Sequence, residues 1–184
     1  MRMQWFARRG SFPPTVNTTP AILVGTAGKT VQVRVVGKGT FLNSTGLKEF
    51  AKEMINRGYR EFVIDLMNCP LVDSTFMGTL AGIALRLKEL GSGELRAVQL
   101  NERNYDLLTN LGLDQLFTLC RFGETGPCAP PAVVEVLPSG PVDKTTQAQT
   151  MLDAHEAVVE ANPENAAKFK DVLEYLKHDL RDGL

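Results

Sequence analysis

Tryptophan, histidine and cysteine are scarce in this chain, at one, two and three among 184 residues. Cys69, Cys120 and Cys128 are odd in number and none stands in a CxxC pair, which argues against a disulfide framework and against a zinc site and leaves free thiols. Long apolar runs are missing too: nothing approaches the roughly 18 consecutive residues a membrane span needs. The opening MRMQWFARRGSFPP has Arg8-Arg9 with no apolar run behind them, so no export signal is expected and the cytoplasm is the expected location. In that compartment the sequons at Asn17 and Asn43 serve as loop or helix-cap chemistry. Charge of one sign is also lacking. Twenty basic against 21 acidic residues give a net charge of -1, and no electrostatic reason to expect nucleic acid or an anionic membrane as partner.

What is present is an ordinary soluble composition, 43% hydrophobic and 22% charged, long enough for one medium domain with extensions. Residues 1–20 show no period and read as an irregular arm. Ile22 to Val24, a glycine-bearing turn at Gly25 to Lys29, and the alternation Val31, Val33, Val35 read as a hairpin with a half-buried second strand. A helix follows through about Arg57, with Asn43 or Ser44 as its cap and Leu47, Phe50, Ala51, Met54 and Ile55 on one face, ended by Gly58. Glu61 to Leu66 is nearly continuous in apolar character, the mark of an interior strand, interrupted by Asp65. A second helix is expected from about Phe76, striped by Phe76, Leu80, Ile83, Ala84, Leu87 and Leu90 and kept thin by Gly78, Ala81 and Gly82. Glu94 to Leu100 is the next strand, Asn101 to Leu111 a shorter helix, and Leu113 to Cys120 a last strand. Helices alternating with strands after an opening hairpin imply a largely parallel sheet. Residues 123–146 are rich in proline and glycine and read as a linker, with Val133 to Leu137 available as a short edge strand. Residues 147–184 read as two helices broken at Asn162-Pro163, each with an apolar stripe that needs a cover, from the domain or from a second chain.

Two apparent motifs fail on their context. Gly28-Lys29-Thr30 resembles the end of a phosphate loop, but Leu23 stands where the first glycine is needed, and a strand follows where a helix must open. His155-Glu156 resembles a zinc-protease helix, but Val159 holds the position of the second histidine.

From Thr30 to Phe122 the hairpin, the helix of Leu47 to Ile55, the strand EFVIDL, the loop DST leading into a helix, the glycine break before LRAVQL, and NLGLDQLFTL together resemble a STAS domain, the fold of bacterial anti-sigma factor antagonists. The resemblance implies an α/β fold with a mixed, largely parallel sheet of four to five strands and helices packed on one side, here over residues 21–122, with the C-terminal helices as an extension. It also implies that the hydroxyl after the loop aspartate is phosphorylated, which maps onto Ser74 beside Asp73, with Thr75 the weaker neighbour. The partner-binding edge then comprises Asp73, Ser74, Thr75, Phe76, Met77 and Gly78. Many relatives carry Gly-Leu-Gly after the two hydroxyls where this chain has Phe76-Met77-Gly78, a bulkier and more hydrophobic contact surface.

On residue chemistry alone, Asp73, Ser74 or Thr75 caps the helix through its first free amides, and the same position exposes a hydroxyl to a kinase. The implied role is that of an antagonist binding an anti-sigma factor serine kinase when unphosphorylated and released by phosphorylation at Ser74, so regulating transcription. The alternative is a non-switching STAS module, an accessory or scaffold subunit of a transporter or signalling complex. No enzyme activity, cofactor or metal is expected, because both histidines lie in the tail and no general base is placed to activate Ser74. The helical tail is a candidate homodimer contact.

Overall fold

The computed structural model describes residues 20–124, 135–137 and 142–181. The arm expected over 1–20, apart from Pro20, lies outside them, as do Cys128, the Asn17 sequon and most of the stretch between 123 and 146. A mixed six-stranded sheet carries helices on one side. The strands are β1 (Ala21–Ala27), β2 (Thr30–Val36), β3 (Glu61–Asn68), β4 (Glu94–Leu100), β5 (Thr118–Arg121) and β6 (Glu135–Leu137), in the order β5-β4-β3-β2-β1-β6. The pairs β2/β3, β3/β4 and β4/β5 are parallel, while β1 pairs antiparallel with β2 and β6. Edge strand β6 makes the count six instead of the expected four or five.

The period-two pattern of β2 does what it predicts. Val31, Val33 and Val35 are buried while their neighbours are half exposed, so one face of the sheet looks into the core. The hairpin turns at Gly28, whose φ of +61° accounts for the glycine there. Asp65 interrupts the apolar run of β3 because Arg34, its register partner on β2, donates to it from Nε at 2.9 Å, and the Met67 N–H donates to its other oxygen at 3.0 Å. The buried carboxylate is therefore paired, as a charge in that position must be.

Helices α1 (Phe41–Asn56), α2 (Ser74–Glu89) and α3 (Glu102–Asn110) follow the expected order with shifted ends. The cap of α1 is Thr40 in place of Asn43 or Ser44: Asn43 sits at the third helical position, and its side chain accepts from the Thr40 N–H at 2.8 Å. Helix α2 begins two residues before Phe76. The expected strand from Leu113 is corrected: Gly112, at φ +70°, leads into a 3-10 turn over Leu113–Gln115 that buries Leu113, and pairing starts only at Thr118.

The tail folds back on its own domain. Helix α4 (Lys144–Ala161) ends at Asn162, held in extended conformation ahead of Pro163, and α5 (Asn165–Arg181) returns along it. Ala157 and Val158 join the main core, whereas Ala148 and Leu152 pack with Leu176 of α5 in a smaller cluster. Asn165, fully buried, donates from Nδ2 to the Leu111 and Val158 carbonyls at 2.8 and 3.2 Å, tying the start of α5 to the end of α3. The stripe of α4 is thus largely covered in cis, whereas in that of α5 Leu176 is buried and Ala166 and Val172 stay exposed.

Ile64, fully buried on central strand β3, tests the centre of this core. Its replacement by alanine is expected to cost about 2–5 kcal/mol, measured as a shifted urea midpoint with an unchanged slope.

Candidate functional site

The site forms where the loop after β3 meets the start of α2, and it is held from three sides. On one flank, Gly39 pairs with Val72; its N–H donates to the Leu71 carbonyl at 3.0 Å and its carbonyl accepts from the Asp73 N–H at 2.9 Å. On the other, Asn104, fully buried on α3, accepts from the Val72 N–H at 3.2 Å and donates to the Cys69 carbonyl at 2.9 Å. Asn101 donates to the same carbonyl at 3.1 Å. Cys69 is buried within this loop; its thiol donates to the Leu71 carbonyl at 3.3 Å, and burial raises its pKa.

Asp73 joins two helices. Its Oδ1 accepts from the Phe76 N–H at 2.8 Å, capping α2, and its Oδ2 accepts from the Phe41 N–H at 2.9 Å at the first residue of α1. Two amides that their helices leave unsatisfied are served by one carboxylate, which also suits the positive end of each helix dipole. Ser74 is therefore the first residue of α2, half buried, with its direction set by a fixed backbone.

The third side is the tail. Ser74 Oγ lies 3.1 Å from His155 Nε2 on α4, and His155 Nδ1 lies 2.7 Å from the Met151 carbonyl. A carbonyl only accepts, so Nδ1 carries the hydrogen; in the neutral ring Nε2 is then the acceptor and the serine hydroxyl donates. One turn further on, α4 touches α2 directly, and a Cβ on Gly78 would sit 2.2 Å from the Ala154 carbonyl oxygen. Thr45 of α1 hydrogen-bonds Thr150 at 3.1 Å in buried surroundings, and Lys48 pairs with Asp153. Both α1 and α2 therefore receive α4 as a third helix.

Of the six residues expected at a binding edge, only Asp73 and Ser74 remain half exposed; Thr75, Phe76, Met77 and Gly78 are buried. Phe76 belongs to the core whatever the tail does, because its ring packs on Gly39, where a Cβ would come within 2.9 Å of it. Met77 and Gly78 lie on the turn that α4 approaches. Phe41 and Leu42, at 36% and 49% exposed, supply open apolar surface at the start of α1 beside Asp73.

The expectation that no general base is placed beside Ser74, both histidines lying in the tail, is corrected by the His155 contact. A serine beside an imidazole is a nucleophile's arrangement, but here Nδ1 faces a backbone carbonyl where a carboxylate would stabilise the imidazolium. His155 is 3% exposed and stacked at a tilt on Phe169, so a substrate would meet a closed surface. The pair is a side-chain hydrogen bond that joins α2 to α4. Among the described residues no cluster of three or more His, Cys, Asp or Glu side chains could hold a metal, and no helix is long and apolar enough to cross a membrane. Gly39, Asn104 and His155 were not singled out for this site by sequence reasoning. Only Asn101, an asparagine directly before a helix, carried a local signal.

The family model for the STAS domain matches residues 21–125, more than half of the 184. The chain belongs to the STAS domain family. Solved structures similar to it include a candidate anti-sigma factor antagonist from Thermotoga maritima, with 19% identity and a TM-score of 0.49 over 53% of this chain and 83% of that one. The NMR structure of the protein TM1081 matches with 17% identity and a TM-score of 0.49, over 66% and 90% of the two chains. The anti-sigma factor antagonist SpoIIAA in its unphosphorylated form matches with 15% identity and a TM-score of 0.45, over 54% and 86%. No curated protein matches.

Two substitutions separate the parts of this site. Asp73→Ala removes both cap acceptors and is expected to lower stability by about 1–2 kcal/mol in urea unfolding, with Asp73→Asn, which keeps one acceptor, falling between. Gly78→Ala favours the α2 helix by about 1 kcal/mol in intrinsic propensity but collides with the Ala154 carbonyl. It is expected to undock the tail, seen as faster amide exchange in α4 with protection retained in β2 and β3. Unchanged α4 exchange would mean that the contact yields without undocking.

Proposed function

We propose that this protein is an anti-sigma factor antagonist of the partner-switching kind, with Ser74 as its phosphoacceptor, an anti-sigma factor serine kinase as its partner, and the cytoplasm as its location. The observation that carries the reading is the placement of Ser74 in a STAS domain: first residue of α2, directly after the capping aspartate, on a loop braced from both flanks. ATP and Mg belong to the kinase; the antagonist contributes a hydroxyl and a surface.

Phosphorylation adds about -1.5 to -2 charges at pH 7 beside the Asp73 carboxylate. On a flat interface that charge must be desolvated against a like charge, which weakens binding without a change of fold. Phosphorylation also removes the hydroxyl hydrogen that Ser74 gives to His155 and sets a bulkier, charged group against that buried side chain. The modified serine and the docked tail are therefore poor company. Access is a separate effect, since the kinase partner needs the surface on which α4 lies; an opened tail alone favours binding, and the added charge supplies the release. Thr75, at 3% exposed, is less suited to modification than Ser74, and its neighbour Thr79 donates to its carbonyl within the helix. With the tail displaced, Ser74, Met77, Gly78, Phe41 and Leu42 form the proposed contact edge.

A second reading, a non-switching accessory or scaffold STAS subunit, is favoured by the same cover: a face permanently occupied by α4 needs no switch. Incubation of the wild type and Gly78→Ala with the candidate kinase and ATP, followed by phosphate mapping by mass spectrometry, divides the two. Modification at Ser74 that is faster in Gly78→Ala supports the switch; no modification at Ser74 or Thr75 in either protein favours the scaffold. Ser74→Asp is further expected to weaken capture of the kinase with little change in melting temperature, and equal capture would remove charge as the trigger.

A further inference from the structure

The junction of α1, α2 and α4 leaves a cleft of about 310 Å³, at the small end of the range for ligand sites. Its walls are largely apolar, with Ala51 and Ile55 from α1, Gly82 and Ile83 from α2, and Ala154 from α4. The hydroxyls that reach it are already engaged, Thr79 with the Thr75 carbonyl and Thr150 with Thr45. Charge gathers at its edge, where Lys48, Lys52 and Arg86 stand against one carboxylate, Asp153. Lys48 and Gln149 both bond Asp153, which accounts for that carboxylate, and Arg86 pairs with Glu89. Lys52 is left as the cation best able to meet an incoming anion.

Gly82 supplies an independent argument. A glycine inside a helix costs roughly 0.5–1 kcal/mol relative to alanine, so packing normally has to require it. Packing does require Gly78, where a Cβ would strike backbone. At Gly82 a Cβ would meet only the Ala157 methyl, at 3.7 Å, an ordinary contact. What the missing side chain leaves is the cleft itself.

We propose that this cleft binds a small carboxylate with an apolar body, its chain lying against Gly82, Ile83 and Ile55 and its head group meeting Lys52 at the mouth. Because α4 forms one wall, the occupant binds only the docked tail and stabilises it. The effect on Ser74 rests on the switch reading above; binding does not.

Octanoate is the probe, with octylammonium as its charge-reversed control, titrated into the full-length protein by calorimetry while amide exchange of α4 is followed. Octanoate is expected to bind and to slow exchange in α4, with octylammonium at least about tenfold weaker. Gly82→Leu, which fills the floor, is expected to lose at least about tenfold in affinity, and Lys52→Glu several-fold without touching the floor. Absence of octanoate binding to the wild type, equal binding of octylammonium, or affinity unchanged in both variants would overturn the proposal. If octanoate binds as described and Ser74 is never phosphorylated, the cleft stands and the switch falls.

Discussion

One carboxylate holds the functional end of this molecule together. Asp73 accepts an amide hydrogen from the first turn of α2 and another from the start of α1, helices whose first residues lie 33 positions apart in the chain. Each helix would otherwise end in an unserved donor, and together the bonds fix where α1 begins relative to α2. Asn104 and Gly39 brace the same loop through its backbone. Ser74 follows Asp73, so its position is a consequence of the scaffold. If Ser74 is the phosphoacceptor proposed above, such rigidity leaves its two states different in charge and hardly in shape.

The tail places a second demand on the same helix. Close contact between α2 and α4 needs a residue without a side chain, and Gly78 is that residue. Thin helix surfaces invite a neighbouring backbone, which here brings Ala154 onto α2 and His155 onto the serine one turn earlier. The domain therefore carries its own cover for the surface around Ser74, joined to it by the polypeptide. Phe76 differs from both: its ring fills the space that Gly39 leaves, so the bulk that departs from the common glycine enlarges the core and leaves the contact surface alone.

Much of the architecture was legible because it is local and periodic. Alternating valines declared β2, a nearly unbroken apolar run declared β3, and the stripe from Phe76 to Leu87 declared α2. The apolar residues from Leu113 misled, since a short apolar run fits a strand or a turn equally well, and a glycine in the left-handed region turned the chain before pairing could begin. What stayed hidden at the site was non-local. The partner of Ser74 lies 81 residues away, and that of Asp65 lies 31 away. The stripe containing His155 announced that α4 would be covered, yet no pattern in α4 names the surface that covers it. The small residues of α2 marked a close approach without marking what approaches.

A tethered occupant sets the terms for any partner. The docked tail buries Val158 completely, a gain of about 1.5–3 kcal/mol for such a side chain, and the serine–imidazole bond adds about 1 kcal/mol. The Lys48–Asp153 pair, more than a third exposed on both sides, adds little. Ordering the tail opposes these gains, so the net preference for docking is smaller than their sum. Were that preference about 2.7 kcal/mol, an open form would be roughly 1% of the population, and a partner that binds only the open form would lose about 100-fold in apparent affinity. On the proposed switch, loss of the serine–imidazole hydrogen bond would change that fraction several-fold. A ligand in the proposed cleft site would move it in the opposite direction. Two inputs of opposite sign can thus act on one equilibrium, because the hydroxyl and the cleft both adjoin α4.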